Sequence, residues 1–245
     1  MVDILYGRNP VLEALRAERP ARKLVIAEGL RHDPRVREIL ERADAAGIAV
    51  ETTGRRRLDD IAHTEHHQGV AGYFHSRPPL LLEALLERMR TPGLLLVLDS
   101  VQDPQNLGAL ARTAEAVAAD GLVLGRHRSA GVTPAAAKAS AGATEHLPVA
   151  VVANLAAALE TIGAAGLWRV GLAAEGTVRY DDFDYTAPVA LVVGAEGQGL
   201  RPLTRRHCDV LVSLPMAGRV ASLNAAVAGG LLLYETARQR GFAAR

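Results

Sequence analysis

The first 75 residues alternate between helical stripes and short apolar runs. Asn9-Pro10 and Asp33-Pro34 are typical helix starts, with the polar residue as the N-cap and the proline at the first helical position. Three apolar runs predict strands at 23–27, 47–50 and 69–74. The pattern therefore predicts a small α/β domain over residues 1–75.

A second pattern begins at Leu94–Leu98, a continuous apolar run typical of a strand whose two faces are both covered. Further strands are predicted near 121–124, 147–151, 168–172, 190–193 and 210–214. Helices are predicted at 106–119, 155–162, 200–207 and 222–239, and Thr133-Pro134 starts another. This alternation predicts a parallel sheet with helices on both faces over residues 94–245. Residues 76–93 contain prolines near both ends and are predicted to be a linker with a short helix at 80–89.

Composition and charge narrow the class of protein. The chain has 245 residues, of which 49% are hydrophobic and 22% charged, so it is expected to be globular rather than disordered. No apolar run approaches the roughly 18 residues of a membrane helix, and the N-terminus shows no secretory signal. The single cysteine, Cys208, excludes an internal disulfide. Together these features predict a cytoplasmic protein.

The formal net charge is +1, which alone does not indicate a nucleic-acid partner. Arginine nevertheless supplies all the positive side chains except Lys23 and Lys138, and its planar guanidinium suits phosphate binding. Arginines cluster at 55–57, 126–128 and 201–206. Each cluster is interpreted either as a local RNA contact or as a solvated surface.

Several common sites are excluded or disfavoured. Neither lysine follows a glycine, so the chain has no phosphate-binding P-loop, and it has neither a Gly-x-Ser-x-Gly nor a His-Glu-x-x-His motif. Four histidines and a glutamate lie close together, at His63, Glu65, His66, His67 and His75. They lack a second ligand cluster, so a hydrated loop is favoured over zinc, and no metal is predicted.

Three segments of the second domain carry candidate chemistry. Asp99–Ala114 places Asn106 and Arg112 six residues apart, just after a strand. The second segment, Leu191–Leu200, is a strand followed by a glycine-rich turn, and the third, Leu214–Ala228, is a strand, a loop and a helix of small residues that Ser222 is expected to cap. Taken singly, each segment is also compatible with an ordinary capped helix or tight turn.

In this order and spacing, the three segments resemble the motifs of the SpoU family of RNA 2′-O-ribose methyltransferases, within the SPOUT superfamily. Tyr6–Leu15 and His67–Val70 also resemble that family's N-terminal RNA-binding domain. The resemblance implies a ribosomal-protein-like α/β domain followed by a parallel-sheet SPOUT domain with a deep trefoil knot. The subgroup that the chain resembles most methylates a guanosine ribose in 23S rRNA.

The resemblance also implies a cofactor, S-adenosylmethionine, a homodimer, and roles for individual residues. The implied catalytic residues are Asn106, Arg112, Glu196, Ser222 and Asn224. The implied cofactor-binding residues are Gly194, Glu196, Gly197, Leu214, Met216, Ser222, Leu223 and Asn224. Candidate RNA contacts are Arg8, Arg55, Arg56 and Arg57.

Arg112 has the activating role in the family pattern. Because arginine stays protonated, Arg112 is expected to fix an RNA phosphate and stabilise the developing alkoxide rather than to act as a base. Two alternatives stay open. The substrate could be a transfer RNA or another ribosomal position, or the chain could be a non-catalytic RNA-binding or assembly factor. The intact set of implied catalytic residues disfavours the second alternative.

Overall fold

The computed structural model describes residues 2–31, 33–127, 129–220 and 222–242. The chain forms two compact units. The first contains the residues up to Pro78 together with Val132–His146, and the second contains Pro79–Gly131 and the residues from Leu147 onward. The segment 132–146 thus belongs to the first unit, although the sequence pattern placed it within the second domain.

The first unit is built on a four-stranded sheet. Its strands are β1 (Val2–Tyr6), β2 (Ala21–Ala27), β3 (Ala49–Thr53) and β4 (Val70–His75). Their order is β1-β4-β2-β3, with β2 and β3 parallel and the other pairs antiparallel. Its helices are α1 (Arg8–Arg16), α2 (Pro34–Ala45), α3 (Arg55–Ala62) and α6 (Pro134–Ala139), and a 3-10 turn follows at Ala143–Glu145.

The helix starts of this unit test the predicted caps. Asp33 caps α2 as predicted, because its carboxylate accepts a hydrogen bond of 2.9 Å from the Val36 amide. The predicted cap at Asn9 is wrong, since α1 begins two residues earlier, at Arg8, and Gly7 occupies the N-cap position. The sequence pattern also missed β1 and α3.

The segment 132–146 joins the first unit through both apolar and ionic contacts. Ala137 belongs to the core that α1, α2 and the sheet form. Arg19 is buried and pairs with Glu145 at 2.9 Å, and it also contacts Asp3. Burial raises the pKa of Glu145, while Arg19 acts in the opposite direction.

The second unit is built on a seven-stranded sheet in which every neighbouring pair is parallel, as predicted. Its strands are β5 (Leu94–Asp99), β6 (Gly121–Gly125), β7 (Val149–Val152), β8 (Trp168–Leu172), β9 (Val178–Arg179), β10 (Val189–Gly194) and β11 (Val210–Ser213). Their order is β7-β6-β5-β10-β8-β11-β9. Its helices are α4 (Leu82–Leu86), α5 (Pro104–Ala116), α7 (Leu155–Ala164), α8 (Pro202–Arg206) and α9 (Ala225–Gln239).

Both faces of this sheet are covered, which explains the continuous apolar strands. All residues of β5 and β10 are buried. On one face, Ala190 and Val192 of β10 pack in a core with α4 and α7. On the other face, Gly229 of α9 lies so close to Leu110 and Val193 that a side chain there would collide with Leu110.

Two further expectations are corrected by the structure. Residues 80–89 were predicted as a helix within a linker, but only Leu82–Leu86 is helical, and its buried leucines pack in the core of the second unit. The last helix was predicted to start at Ser222, but it starts at Ala225 with Asn224 as its N-cap. No helix within the described part of the chain is both long enough and apolar enough to span a membrane.

Candidate functional site

The three segments singled out in the sequence meet at one edge of the parallel sheet. β5 and β10 are neighbours, with Asp99 paired to Gly194 at their carboxyl ends. The loops that follow them lead into α5 and into the glycine-rich turn, and the loop after β11 leads into α9. The carboxyl edge of a parallel sheet is where ligands of such folds bind.

Three polar side chains from these segments form a hydrogen-bonded cluster. Glu196 accepts hydrogen bonds from the side-chain amides of Asn106, at 3.3 Å, and Asn224, at 3.0 Å. The Asn224 amide also donates to the side-chain oxygen of Asn106 at 2.8 Å. Residues separated by up to 118 positions in the chain therefore hold one carboxylate in a fixed place.

Asn224 also shapes the backbone. Its side-chain oxygen accepts hydrogen bonds from the amides of Ala226, at 2.9 Å, and Val227, at 3.3 Å, so it caps α9. The predicted cap, Ser222, lies before the helix and is exposed. Both ends of the Asn224 amide group are thus used, one for the helix and one for the cluster.

The glycine-rich turn after β10 depends on the absence of side chains. An added Cβ at Gly194 would lie 2.2 Å from the backbone of Gly199, which excludes any other residue. Gly197 and Gly199 have φ angles of +74° and +64°, in the left-handed region that favours glycine. The Gly199 amide closes the turn by donating to the carbonyl of Ala195 at 2.8 Å.

A cavity of about 180 Å³ opens beside this turn. It is lined by seven of the eight predicted cofactor-binding residues, namely Gly194, Glu196, Gly197, Leu214, Met216, Ser222 and Leu223. The eighth, Asn224, does not line the cavity, but it is bonded to Glu196, which does. Apart from Glu196, the lining is apolar, small or uncharged.

Sequence reasoning missed part of this lining. Leu172 ends β8, which lies directly beside β10 in the sheet, and Ala173 and Ala174 follow it. Their position at the carboxyl end of a predicted strand was the available signal. The strand order, which places β8 beside β10, was not evident from the sequence.

Arg112 is not part of the cluster and does not line the cavity. It lies on α5 six residues after Asn106, which is about 9 Å along a helix axis. Its side chain is exposed, and it forms no ion pair with the residues that the structure describes. The guanidinium is therefore available to a ligand from outside the chain.

The arginine cluster around residue 201 has a partly structural explanation. The backbone amide of Arg201 donates to the fully buried carboxylate of Asp99 at 2.8 Å, and its guanidinium Nε donates to it at 2.5 Å. This pair ties the end of the glycine-rich turn to the end of β5. In the cluster at 126–128, Arg126 and His127 are exposed, and Arg128 lies outside the described residues.

The remaining candidates have local roles. His67 is fully buried, bonded through Nε2 to Asp59 at 2.7 Å and through Nδ1 to the Gly69 amide at 2.9 Å. Within the described ranges, no group of three histidine, cysteine, aspartate or glutamate side chains is placed to hold a metal. Burial raises the pKa of the Cys208 thiol to about 12, which is unfavourable for a nucleophile.

The predicted RNA contacts lie in the first unit. Arg8 is half-buried at the start of α1, where it pairs with Asp33 and donates to the carbonyl of Gln68 at 3.3 Å. Arg55, Arg56 and Arg57 form the exposed first turn of α3. Arg8 and Arg55 line the same pocket, whereas Arg56 and Arg57 do not line it.

Comparison with protein families gives two matches. Residues 93–234 match the model of the SpoU rRNA Methylase family. Residues 4–80 match the model described as RNA 2′-O ribose methyltransferase substrate binding.

Individual proteins give similar matches. The chain is 43% identical to a tRNA/rRNA methyltransferase of Synechocystis, over 98% of the chain and 64% of that relative, so it spans less than two thirds of that protein. Its structure matches the SpoU methyltransferase AviRb of Streptomyces viridochromogenes, solved with AdoMet, with a TM-score of 0.81 and 29% identity over 98% of this chain and 90% of that one. It also matches an AdoMet-bound rRNA methyltransferase of Sinorhizobium meliloti, with a TM-score of 0.79 and 29% identity over 97% of this chain and 87% of that one.

Proposed function

Because the chain belongs to the SpoU rRNA Methylase family, we propose that it transfers a methyl group from S-adenosylmethionine to the ribose 2′-hydroxyl of a guanosine in 23S rRNA. The observation that carries the proposal is the convergence of the three segments into one cluster and one cavity. The SpoU rRNA Methylase model over residues 93–234 and the rRNA methyltransferase among the similar structures favour ribosomal RNA. The name of the Synechocystis relative includes tRNA, so a transfer RNA is the alternative substrate.

The cavity has the chemistry that the proposed cofactor needs. Leu214, Met216 and Leu223 offer apolar contacts for an adenine ring, and the glycine-rich turn lets backbone groups approach closely. Glu196 supplies a negative charge on the cavity wall. When bound, S-adenosylmethionine supplies an electrophilic methyl group on a positively charged sulfur.

The cavity is smaller than the 300–1,000 Å³ that is usual for ligand sites, at about 180 Å³. Met216 and Leu223 are 42% and 37% exposed, and both lie in the loop between β11 and α9. We infer that this loop moves to enlarge the cavity when the cofactor binds, and that the cofactor then covers the side chains of Met216 and Leu223. Binding is therefore expected to show a negative heat-capacity change.

The chain's own residues would then align the ribose. Arg112 is proposed to hold an RNA phosphate and to stabilise the negative charge that develops on the 2′-oxygen. Asn106 and Asn224 keep Glu196 in place, and Ser222 lies on the cavity wall. Holding two reactants in the right geometry supplies roughly 7–11 kcal/mol of the rate enhancement.

Calorimetric titration with S-adenosylmethionine, combined with a methyl-transfer assay, tests this proposal. The unmodified chain is expected to bind the cofactor saturably. Arg112→Ala should keep that affinity but lose at least a hundredfold in turnover, the usual cost of removing a transition-state donor. Absence of cofactor binding would exclude the methyltransferase and favour a non-catalytic RNA-binding factor, and wild-type turnover in Arg112→Ala would remove the role given to Arg112.

We also propose that the protein acts as a homodimer. Val227, Leu231 and Tyr234 lie on one stripe of α9, and they are 53%, 41% and 49% exposed. Of the small residues that the sequence placed on this helix, Ala225 and Gly229 are buried within the chain, and Ala221 lies outside the described residues. The exposed apolar stripe therefore supports a contact with a second copy more directly than the small residues do.

A further inference from the structure

A second pocket lies wholly within the first unit, and its lining is strongly basic. It has a volume of about 550 Å³, within the range of small-molecule sites. Four arginines line it, namely Arg8, Arg31, Arg35 and Arg55. They come from α1, from the loop after β2, from α2 and from α3, so the fold brings together charges that are dispersed in the sequence.

Three of these arginines have no ionic partner in the part of the chain that the structure describes. Arg31, Arg35 and Arg55 are exposed, and none forms an ion pair with the residues that the structure describes. Arg8 is different, because Asp33 binds its guanidinium. Unpaired guanidinium groups that face one cavity are suited to bind phosphate oxygens.

The two carboxylates of the pocket do not cancel this charge. Asp33 is engaged by the Val36 amide and by Arg8, and these hydrogen bonds hold its pKa below the ordinary value. Glu28 is exposed and is the second carboxylate in the lining. A carboxylate at that position can accept a hydrogen bond from the amino group of a nucleobase.

Uncharged polar groups complete the lining. Asn9 and Gln68 both line the pocket, and the side-chain oxygen of Gln68 accepts from the backbone amide of Arg8 at 3.2 Å. Its amide nitrogen thus remains a donor for a ligand. Gln68 has a φ of +55°, a conformation that few residues other than glycine adopt. Such strain persists only where the surroundings impose it.

The buried histidine explains how this conformation is held. The Nδ1 atom of His67 accepts a hydrogen bond from the Gly69 amide. The ring proton therefore lies on Nε2, which donates a hydrogen bond to Asp59 of α3. Arg55 is the first residue of the same helix. His67 therefore connects the loop that contains Gln68 with the helix that contains Arg55. The pocket is therefore pre-organised.

We propose that this pocket binds one unpaired nucleotide of the RNA substrate, with Arg31, Arg35 and Arg55 on its phosphates and Asn9, Glu28 and Gln68 facing its base and ribose. The proposal rests on the proposed function for the identity of the nucleic acid. It assigns contacts to Arg31 and Arg35, which the sequence had not singled out. Of the three arginines at 55–57, it places only Arg55 in the pocket. A recessed site fits an unpaired nucleotide, since sequence-specific RNA recognition uses bases that are splayed out of a helix.

The test measures binding of the full chain to a fluorescent single-stranded RNA of about 12 nucleotides, over a range of salt concentrations. Arg31→Ala/Arg35→Ala is expected to bind about tenfold more weakly. Its slope of log K against log salt should be smaller by about 1.4, because each phosphate contact on a single strand contributes about 0.7. Arg55→Ala should lower the slope by about 0.7.

A matched control lies on α2. Arg37 is an exposed arginine outside the pocket, so Arg37→Ala should leave both affinity and slope unchanged. A loss of affinity and slope in this control equal to that of a single pocket arginine would show general surface attraction and would overturn the pocket proposal. An equal loss of affinity for a duplex of the same sequence would overturn the unpaired nucleotide.

This result can be separated from the proposed function. If the unmodified chain methylates RNA while Arg31→Ala/Arg35→Ala binds RNA as tightly as the unmodified chain, the pocket proposal is wrong and the enzymatic proposal stands. If no RNA is methylated but the variants lose binding as expected, the enzymatic proposal is wrong and the pocket stands. Unchanged thermal unfolding of the variants would show that they are folded.

Discussion

Asn224 shows how one side chain can serve both the fold and the site. Its oxygen caps α9, while its nitrogen holds Glu196 and Asn106. Sequence reasoning selected Asn224 through the family resemblance but assigned the cap to Ser222. Both residues are good N-caps, and only the position of the helix start distinguishes them.

Substitutions of Asn224 separate these two roles. Asn224→Ala should lower the free energy of unfolding by about 1 kcal/mol and weaken cofactor binding. Asn224→Ser keeps a capping oxygen but lacks the amide that reaches Glu196. Its unfolding temperature should therefore be close to that of the unmodified protein, while its affinity for the cofactor should be as weak as that of Asn224→Ala. Thermal unfolding and calorimetric titration measure the two effects. Full cofactor affinity in Asn224→Ser would mean that the bond to Glu196 has no part in the site.

At the level of elements, the sequence predicted most strands of the parallel sheet because their apolar runs are continuous. It missed β1 and α3 because each has few buried positions. β1 lies at the edge of its sheet and has only one buried residue. α3 begins with three arginines and has only two buried residues, so it shows no clear apolar stripe. Partly buried elements leave a weak hydrophobic pattern, and tertiary contacts decide their structure.

The segment 132–146 packs within the first unit, although the sequence pattern and the family model over residues 93–234 both place it in the second domain. Thr133 caps α6 as predicted, so the local structure was evident. Its attachment to the first unit depends on the pairing of Glu145 with Arg19, which is 126 positions away. No local pattern can indicate such a contact.

The buried pair also makes a testable contribution to stability. Glu145→Ala would leave the buried guanidinium of Arg19 with only Asp3 as an ionic partner, and it should lower the free energy of unfolding by about 3 kcal/mol. Urea denaturation measures this loss, and limited proteolysis should show faster cleavage between residues 126 and 147. Glu13→Ala is a suitable control, because the carboxylate of Glu13 forms only partly exposed pairs with Arg16 and His146. If Glu13→Ala lowered the free energy of unfolding as much as Glu145→Ala, burial of the ion pair would not be the cause of the loss.

At the level of the whole molecule, the family resemblance supplied what periodicity could not. The parallel sheet was predicted from the alternation of strands and helices, whereas Asn106, Glu196 and Asn224 were selected by the family resemblance, and the structure brings these three residues together. The trefoil knot and the dimer stay predictions. Knots are almost absent from proteins, so no pattern of apolar residues could have indicated one.

The dimer can be tested on the exposed stripe of α9. Leu231→Asp should convert a dimer into a monomer, because it places a charge within an apolar contact. Light scattering after size-exclusion chromatography measures the mass. Leu81→Asp is the control, since Leu81 is 75% exposed and lies outside this helix. A monomeric unmodified chain, or an unchanged dimer in Leu231→Asp, would contradict this interface.

The central claim is methyl transfer to a ribose oxygen, and mapping the labelled nucleotide tests it most directly. The chain is incubated with S-adenosylmethionine that carries a labelled methyl group and with unmodified total RNA, and the labelled position is identified. Label is expected on the 2′-oxygen of a single guanosine in 23S rRNA, and none is expected when that nucleotide is replaced by its 2′-deoxy form. Label on a transfer RNA ribose would correct the substrate alone, whereas label on a base, or no transfer to RNA, would contradict the account.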